Sequence, residues 1–218
     1  MGTLLEVRRL GRVAYVEAHA LQEALVAERV ADLDVPDRLL LLQHEPIVTV
    51  GRSPRSEKRA ELEAILTCPV VEIERGGEAT WHGPGQLVAY PILYLPEGRR
   101  DLHAYLRQLE EVVLVVLDSF GVAGRREVQK TGVWIGPEKV ASLGVAVRRW
   151  VTWHGVSLNL DNSLAPFRSF HPCGLDGSVM TRLCDHLGTD TPTMAQLEAV
   201  FEAAFRKIFP YPAVRRES

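Results

Sequence analysis

The stretch "RGGEATWHGPGQLVAY", Arg75 to Tyr90, decides how this chain is read. Its Gly76-Gly77 and Gly83-Pro84-Gly85 pairs let the backbone take conformations, and approach a ligand, in ways that side-chain-bearing residues forbid. Arg75, Thr80, His82 and Gln86 place polar groups among those glycines. The GxxxxGK[ST] phosphate loop is absent, and so is the GxGxxG dinucleotide pattern. "CPVVEIE" before the stretch and "LVAYPILYL" from Leu87 both read as strands. A polar, glycine-rich loop held between apolar strands is where ligand sites form. A structural loop with turn glycines is the competing reading.

Outward from that loop, strands dominate. "LLEVRRL" and "GRVAYV" read as short strands, or as a strand and a helix start. Glu17 to Ala31 reads as a helix with Leu21, Leu25, Ala27 and Val30 on one face. "DRLLLLQHEPIVTVG" reads as two strands broken at His44-Glu45-Pro46, and Ser56 to Leu66 as a short helix. Asp101 to Phe120 carries the strongest helical repeat, with Asp101 as cap and Gly121 as stop. "TGVWIGPEKVASLGVAVRRWVTWHGVSLNLD" reads as three β segments, with turns near Gly136-Pro137-Glu138 and Arg148-Arg149. Asn162 to Asp190 has weak periodicity. A last helix opens near Thr191-Pro192, with proline in its first turn and Leu197, Val200, Phe201, Ala204, Phe205 and Ile208 on its apolar face. Grouped strands with helices between them predict an α+β fold of mixed or antiparallel sheets flanked by helices, in one domain over 1–218.

The 218 residues suffice for a real core, and a net charge of −3 gives no global field for nucleic acid. No apolar run approaches a membrane span, and the N-terminus lacks a secretory pattern. Three cysteines, Cys68, Cys173 and Cys184, give no disulfide framework. The expectation is a cytoplasmic protein with reduced thiols, no membrane contact and no nucleic-acid partner.

Cys173 lies in "FHPCGLDG", between Pro172 and Gly174. It can be a small turn residue, a metal ligand or a nucleophile. A zinc set of His171, Cys173, Cys184 and His186 is conceivable, but one residue within each pair is tighter than structural zinc prefers. A nucleophilic thiol needs a cation nearby to favour the thiolate. Of 25 basic residues 21 are Arg, which makes Lys139, just after a tight turn, stand out. A lysine can exchange a proton when desolvated; an arginine cannot. An exposed turn residue is the alternative. Cys68 and Cys184 read as small core residues. His19, His44 and His103 carry no chemical signal, and His154 before a glycine reads as structural or as a helper.

Four segments in order resemble one family. Arg75-Gly76-Gly77 with Thr80, Trp81, His82-Gly83-Pro84-Gly85-Gln86 and Tyr90, then "KVASLGV" from Lys139, "HGVSLNLD" from His154 and "PCG" at Cys173, are similar to the signatures of the lipoyl(octanoyl) transferases. Those enzymes share a superfamily with the catalytic domains of biotin and lipoate protein ligases. The resemblance implies an acyltransferase with Cys173 and Lys139 as catalytic dyad. It implies an acyl pocket built from Arg75, Gly76, Gly77, Glu78, Ala79, Thr80, Trp81 and His82, with Ser142, Leu143, Gly144, Gly155, Val156 and Ser157. Backbone N–H groups around the last six are expected to hold a developing oxyanion.

The implied reaction carries octanoyl from octanoyl-acyl carrier protein, through a Cys173 thioester, to a lysine of the lipoyl domains of 2-oxoacid dehydrogenase complexes or of the glycine cleavage H protein. It needs no metal or other cofactor. Both partners are commonly acidic, so Arg99, Arg100, Arg125, Arg126, Arg148 and Arg149 are candidates for a docking patch. The rivals are an ATP-dependent ligase of the same superfamily and a zinc-stapled binding module.

Overall fold

The run "DRLLLLQH" contains four consecutive leucines, all with no exposed surface. Only a strand covered on both faces accommodates such a run, because successive side chains point to opposite sides. In the computed structural model, which describes residues 4–53, 59–128 and 130–210 apart from the side chain of Cys173, this run is strand β2, Asp37–His44. Leu39 and Leu41 pack into one core cluster; Leu40 and Leu42 pack into another on the opposite face. Each fully buried leucine stabilises the fold by about 1.5–3 kcal/mol.

The chain enters through β1 (Leu5–Val13) and helix α1 (Tyr15–Ala31), then β2, β3 (Ile47–Val50), α2 (Arg59–Ile65) and β4 (Val70–Glu72). Next come β5 (Thr80–His82), β6 (Gln86–Ile92), α3 (Leu102–Ser119), β7 (Gly124–Arg125) and β8 (Val133–Ile135). β9 (Glu138–Arg148), β10 (Val151–Asn159), α4 (Cys184–Leu187) and α5 (Met194–Ile208) complete the order. The described strands form a seven-stranded sheet, β1-β2-β6-β10-β9-β8-β7, and a three-stranded sheet, β4-β3-β5. β1 with β2, and β3 with β4, are parallel; the other pairs are antiparallel. The expected α+β architecture with mixed sheets is the one observed.

α3 and α5 cover one face of the large sheet, where Val112, Val113, Val116, Phe201 and Phe205 are buried. α1 covers the other face. It is pinned by a buried ion pair, Arg29 Nε to Asp37 Oδ1 at 2.8 Å, and Asp37 Oδ1 also accepts from the Tyr94 N–H at 3.0 Å. The small sheet packs with Phe167, Phe170 and Met180 from the weakly patterned segment.

Local details differ from the sequence reading. α1 turns Ala18, Gln22, Leu25, Val26 and Arg29 inward and leaves Ala27 exposed, because its burial follows the sheet rather than apolar content. The glycine-rich loop is interrupted by β5, which pairs antiparallel with β3. The break at His44-Glu45-Pro46 moves the chain from the large sheet to the small one. α5 begins after Thr193, whose hydroxyl accepts from the Gln196 N–H while the Gln196 side chain returns the bond; Pro192 lies before this cap, outside the helix. The Ser56–Lys58 start expected for α2 lies outside the described residues.

Candidate active site

β9 and β10 pair with Ser142 opposite Ser157, Leu143 opposite Val156 and Gly144 opposite Gly155. The glycine pair leaves the middle of this ladder without side chains. Close approach demands it: a Cβ on Gly155, at φ 158°, would collide with the Ala89 carbonyl, and one on Gly144 would press on Arg75 and the Gly76 carbonyl. Over this bare stretch lies a small pocket, walled by the Arg75 loop on one side and by β9 and β10 on the other.

Arg75, Thr80, His82, Ser142, Leu143, Gly144, Gly155, Val156 and Ser157 all line it. The structure thus gathers residues from three separated motifs around one cavity. Gly76, Gly77, Glu78, Ala79 and Trp81 are not on the lining. The Gly76 N–H donates to the Val145 carbonyl at 3.0 Å, which fastens the loop to β9. Ala79 and Trp81 are buried in the small-sheet core. Val156 and Ser157 stand in register with both β6 and β9, so their backbone donors are drawn into the sheet. The expected oxyanion role for those two N–H groups does not fit a central strand.

A hydrogen-bond chain fixes the protons beside the pocket. The Thr181 carbonyl can only accept, so Asn159 Nδ2 donates to it at 2.9 Å. Asn159 Oδ1 then accepts from Gln86 Nε2 at 2.9 Å, and Gln86 Oε1 accepts from His82 Nδ1 at 2.7 Å. His82 Nε2 is left without a proton and faces Thr49 Oγ1 at 3.4 Å. Thr49 Oγ1 itself accepts from Arg75 Nη2 at 3.0 Å. The same logic sets His44: Nδ1 donates to the Val13 carbonyl at 3.0 Å, so Nε2 accepts from Tyr90 Oη at 2.7 Å.

These imidazoles are neutral at pH 7. Burial pushes His82 down to about 3, helped by the charges of His44 and Arg75. Burial also lowers His154 to about 3, with Arg75 and His19 adding repulsion, and lowers His44 to about 4. Tyr90, fully enclosed, is pushed well above its usual range by burial. The pocket wall therefore offers neutral donors and acceptors under the positive potential of Arg75, which suits a developing negative charge better than proton exchange.

Lys139 sits on β9, three positions before Ser142, and is only 2% exposed. Its Nζ lies 5.3 Å from the Trp134 ring centroid. Among the described residues no carboxylate forms an ion pair with it. It is not the exposed turn residue that spacing alone allowed. The backbone of Cys173 is in a single 3₁₀ turn, Pro172–Gly174, closed by the Leu175 N–H on the Pro172 carbonyl at 3.1 Å. Gly174 has φ 70°, and a Cβ there would collide with the Glu78 carboxylate. This turn packs against β5, and the chain returns at Met180 to bridge Lys139. The Cys173 side chain lies outside the described residues.

The zinc reading of the cysteine loop finds no assembled site among the described residues. His186 Nε2 is engaged with Thr181 Oγ1 at 2.9 Å, and Cys184 Sγ is directed to Asp185. A different trio, His19, Glu74 and His154, brings possible ligand atoms within 4.8 Å of one another. Arg75, whose charge acts on His154, opposes a divalent cation there.

Residues 14–206 match the lipoyl protein ligase A/B catalytic domain. The chain belongs to that family. Within it, the chain is 48% identical over 186 residues to an octanoyltransferase of Geobacter metallireducens, covering 85% of each protein. It is 42% identical over 214 residues to an octanoyltransferase of Rubrobacter xylanophilus, covering 95% of each. The lipoyl protein ligase A/B fold is shared with a crystal structure of lipoate-protein ligase A bound with ATP, at a TM-score of 0.71, 12% identity, and coverage of 96% of this chain and 86% of that one. A biotin protein ligase from Aquifex aeolicus in its apo form is more distant, at a TM-score of 0.52 and 12% identity, covering 95% of this chain and 69% of that one.

The sequence reading missed several residues that shape this site. Tyr15, at the start of α1, and Ile73 and Val88 line the pocket, and so does Tyr90, which lay inside the first motif without a role. His44 and His19 were read as carrying no signal, yet one holds Tyr90 and the other packs beside His154 with ring centroids 5.9 Å apart. Asn159 lay inside a recognised motif without a role. No spacing rule finds Tyr15, since only the docking of α1 on the sheet brings it there.

Proposed function

We propose that this chain is an octanoyltransferase acting through a Cys173–Lys139 dyad in protein lipoylation. The Cys173 thiolate attacks the thioester carbonyl of octanoyl-acyl carrier protein. The new C–S bond forms as the carrier's C–S bond breaks, and the carrier thiol leaves with a proton from Lys139. The neutral amine of an acceptor lysine, on a lipoyl domain or the glycine cleavage H protein, then attacks the acyl-enzyme. An amide forms, its surplus proton passes to Lys139, and the thiolate is regenerated. Splitting the exchange makes each half an addition to an activated thioester.

The reaction class is supported by relatives named octanoyltransferase across most of the chain. The observation that carries the mechanism is Lys139: a buried lysine, without a carboxylate partner among the described residues, on the strand that continues into the pocket wall. An ammonium beside a thiol favours its thiolate, and a lysine, unlike an arginine, can exchange the proton. The donor is already activated, so no metal or nucleotide enters the scheme. Among the described residues no helix is long and apolar enough to cross a membrane, and the free thiols of Cys68 and Cys184 fit a reducing cytoplasm.

Docking of acidic partners is assigned to the β9–β10 hairpin. Arg148 lies over Trp153 at 5.8 Å, and Arg100 lies over Trp150 at 5.1 Å. Arg125 and Arg126 leave the candidate patch, because Glu127, Glu110 and Glu111 already hold them. The ATP-dependent ligase is the competing activity on this fold. Incubation with octanoyl-acyl carrier protein and no ATP should yield an octanoyl adduct by intact mass, absent in Cys173→Ala. An adduct that requires ATP, or persists without Cys173, overturns the mechanism.

A further inference from the structure

α3 buries a carboxylate beside its apolar face. Glu110 is 1% exposed, next to the core residues Leu109, Val112 and Val113. An anion is seldom found so deep unless it is paired. Arg107 Nη1 donates to Glu110 Oε2 at 2.7 Å, and Arg126 Nε lies 3.2 Å from the same oxygen. Glu110 Oε1 takes a different partner, the backbone N–H of Gly132 at 3.0 Å. The arginines balance the charge; the remaining oxygen holds one backbone atom at the entry to β8.

Gly132 lies directly against Lys139. Its φ is 146°, and a Cβ on it would come within 2.5 Å of Lys139 Cε, 2.8 Å of the Ala141 carbonyl oxygen and 3.1 Å of the Trp134 ring. Only glycine leaves that space to the lysine. The pairing of β8 with β9 shifts at the same place. Val133 faces Ala141, yet Trp134 faces Lys139, so Val140 is an extra residue on β9.

That bulge decides where Lys139 points. In a regular ladder Lys139 would stand opposite Ile135, on the face that Val133 and Ala141 turn into the apolar core. The extra residue moves it to the face of Trp134, where its Nζ lies 5.3 Å from the ring centroid. The aim of Lys139 thus depends on a one-residue irregularity, and Glu110 holds the N–H that immediately precedes it on the facing strand.

We infer that Glu110 is a positioning residue for acyl transfer: through Gly132 it fixes the bulge that aims Lys139 at the site. This rests on the Cys173–Lys139 reading above. Glu110 is not on the pocket lining and acts only through the backbone of Gly132. Without that bond the start of β8 loosens, and Lys139 loses its seat between Gly132 and Trp134. The register cannot simply become regular, because that would turn an ammonium into the apolar core.

The test uses Glu110→Leu, Glu110→Gln, Arg126→Ala and Gly132→Ala, the first and last also combined with Lys139→Met. Leucine suits the apolar surroundings but cannot accept from Gly132, whereas glutamine can. Arg126→Ala removes an ion pair and leaves the Gly132 bond in place. Octanoyl transfer and the pH profile of Cys173 alkylation by iodoacetamide are read. In Glu110→Leu, kcat should fall roughly tenfold or more with KM within about twofold, and alkylation should move to higher pH. Glu110→Gln should recover most of the lost kcat, and Arg126→Ala should keep the wild-type alkylation profile. Gly132→Ala displaces Lys139 from the other side and should reproduce the Glu110→Leu profile, which keeps the test open if Glu110→Leu loses the wild-type circular dichroism. In the Lys139→Met background neither change should shift alkylation further. A wild-type alkylation profile in Glu110→Leu and Gly132→Ala, or losses undiminished in the Lys139→Met background, overturns the positioning role alone. Wild-type alkylation and transfer in Lys139→Met overturns the dyad reading, and the positioning role with it.

Discussion

His82 Nδ1 donates to Gln86 Oε1 at 2.7 Å, and that one bond fixes which nitrogen of His82 faces the site. Gln86 can serve because its amide is held by Asn159 Oδ1 and by the Trp81 carbonyl. Gln86→Met keeps the volume but leaves His82 and Asn159 each short of a partner. Each unmet buried group costs about 1–3 kcal/mol. The variant should lose roughly 2 kcal/mol or more of unfolding free energy by urea titration, and its octanoyl transfer should fall in kcat more than in KM. A stability within a few tenths of a kcal/mol of wild type would mean that the chain is not formed.

Lys139 carries a charge in a nearly closed environment, with an aromatic face as its described neighbour. Burying a cation that way is costly. Lys139→Met should therefore raise stability, by roughly 1 kcal/mol, while transfer drops on the order of 10²-fold or more. Iodoacetamide labelling of Cys173 near neutral pH should slow, because the thiolate loses its cation. Unchanged labelling would detach Lys139 from the nucleophile. Lys139→Arg meets crowding, since Lys139 Cε already abuts the position a Cβ on Gly132 would occupy. It should keep a charge yet lose both packing and proton exchange.

Acid should weaken the fold through its buried histidines. His44 titrates near 4, and His82 and His154 near 3, all below the unfolded value of ~6.5. Between those limits the unfolded chain binds protons that the folded chain refuses. The stabilisation from neutral histidines is complete above about pH 6.5 and is lost as pH falls toward 4 and then 3. Each histidine contributes a slope of up to about 1.4 kcal/mol per pH unit. Urea titrations at pH 7, 6 and 5 should show a steepening loss, reduced in His44→Gln.

Arg148 and Arg149 sit at the β9–β10 turn, where Arg149 and Trp150 both take positive φ, 48° and 66°. Reversing both charges to Glu should raise KM for acyl carrier protein and flatten its dependence on salt. The effect should appear in KM for the protein donor and vanish with a small acyl thioester. A salt dependence equal to the wild type would remove the hairpin from the docking surface.

The sequence by itself carried the local chemistry. The apolar run broken at His44-Glu45-Pro46 marked two strands. Asp101 and the repeat after it demanded a capped helix, and its side chain does accept from the His103 and Ala104 N–H groups. The glycines of the Arg75 stretch marked places where backbone can come close. The ordered motifs named most of the pocket's lining. These readings hold because propensity, periodicity and steric permission act within a few residues.

Only the tertiary structure decided what lies far apart in the chain and meets in space. The docking of α1 carries Tyr15 to the pocket. A left-handed backbone, φ 57°, turns His154 out of strand alternation and onto the lining. A chain from Thr181 through Asn159 and Gln86 sets the proton on His82. Burial changes Lys139 from a turn residue into a desolvated cation, and burial is a property of the packed whole: no residue's own sequence neighbourhood determines how much water the rest of the fold removes from it.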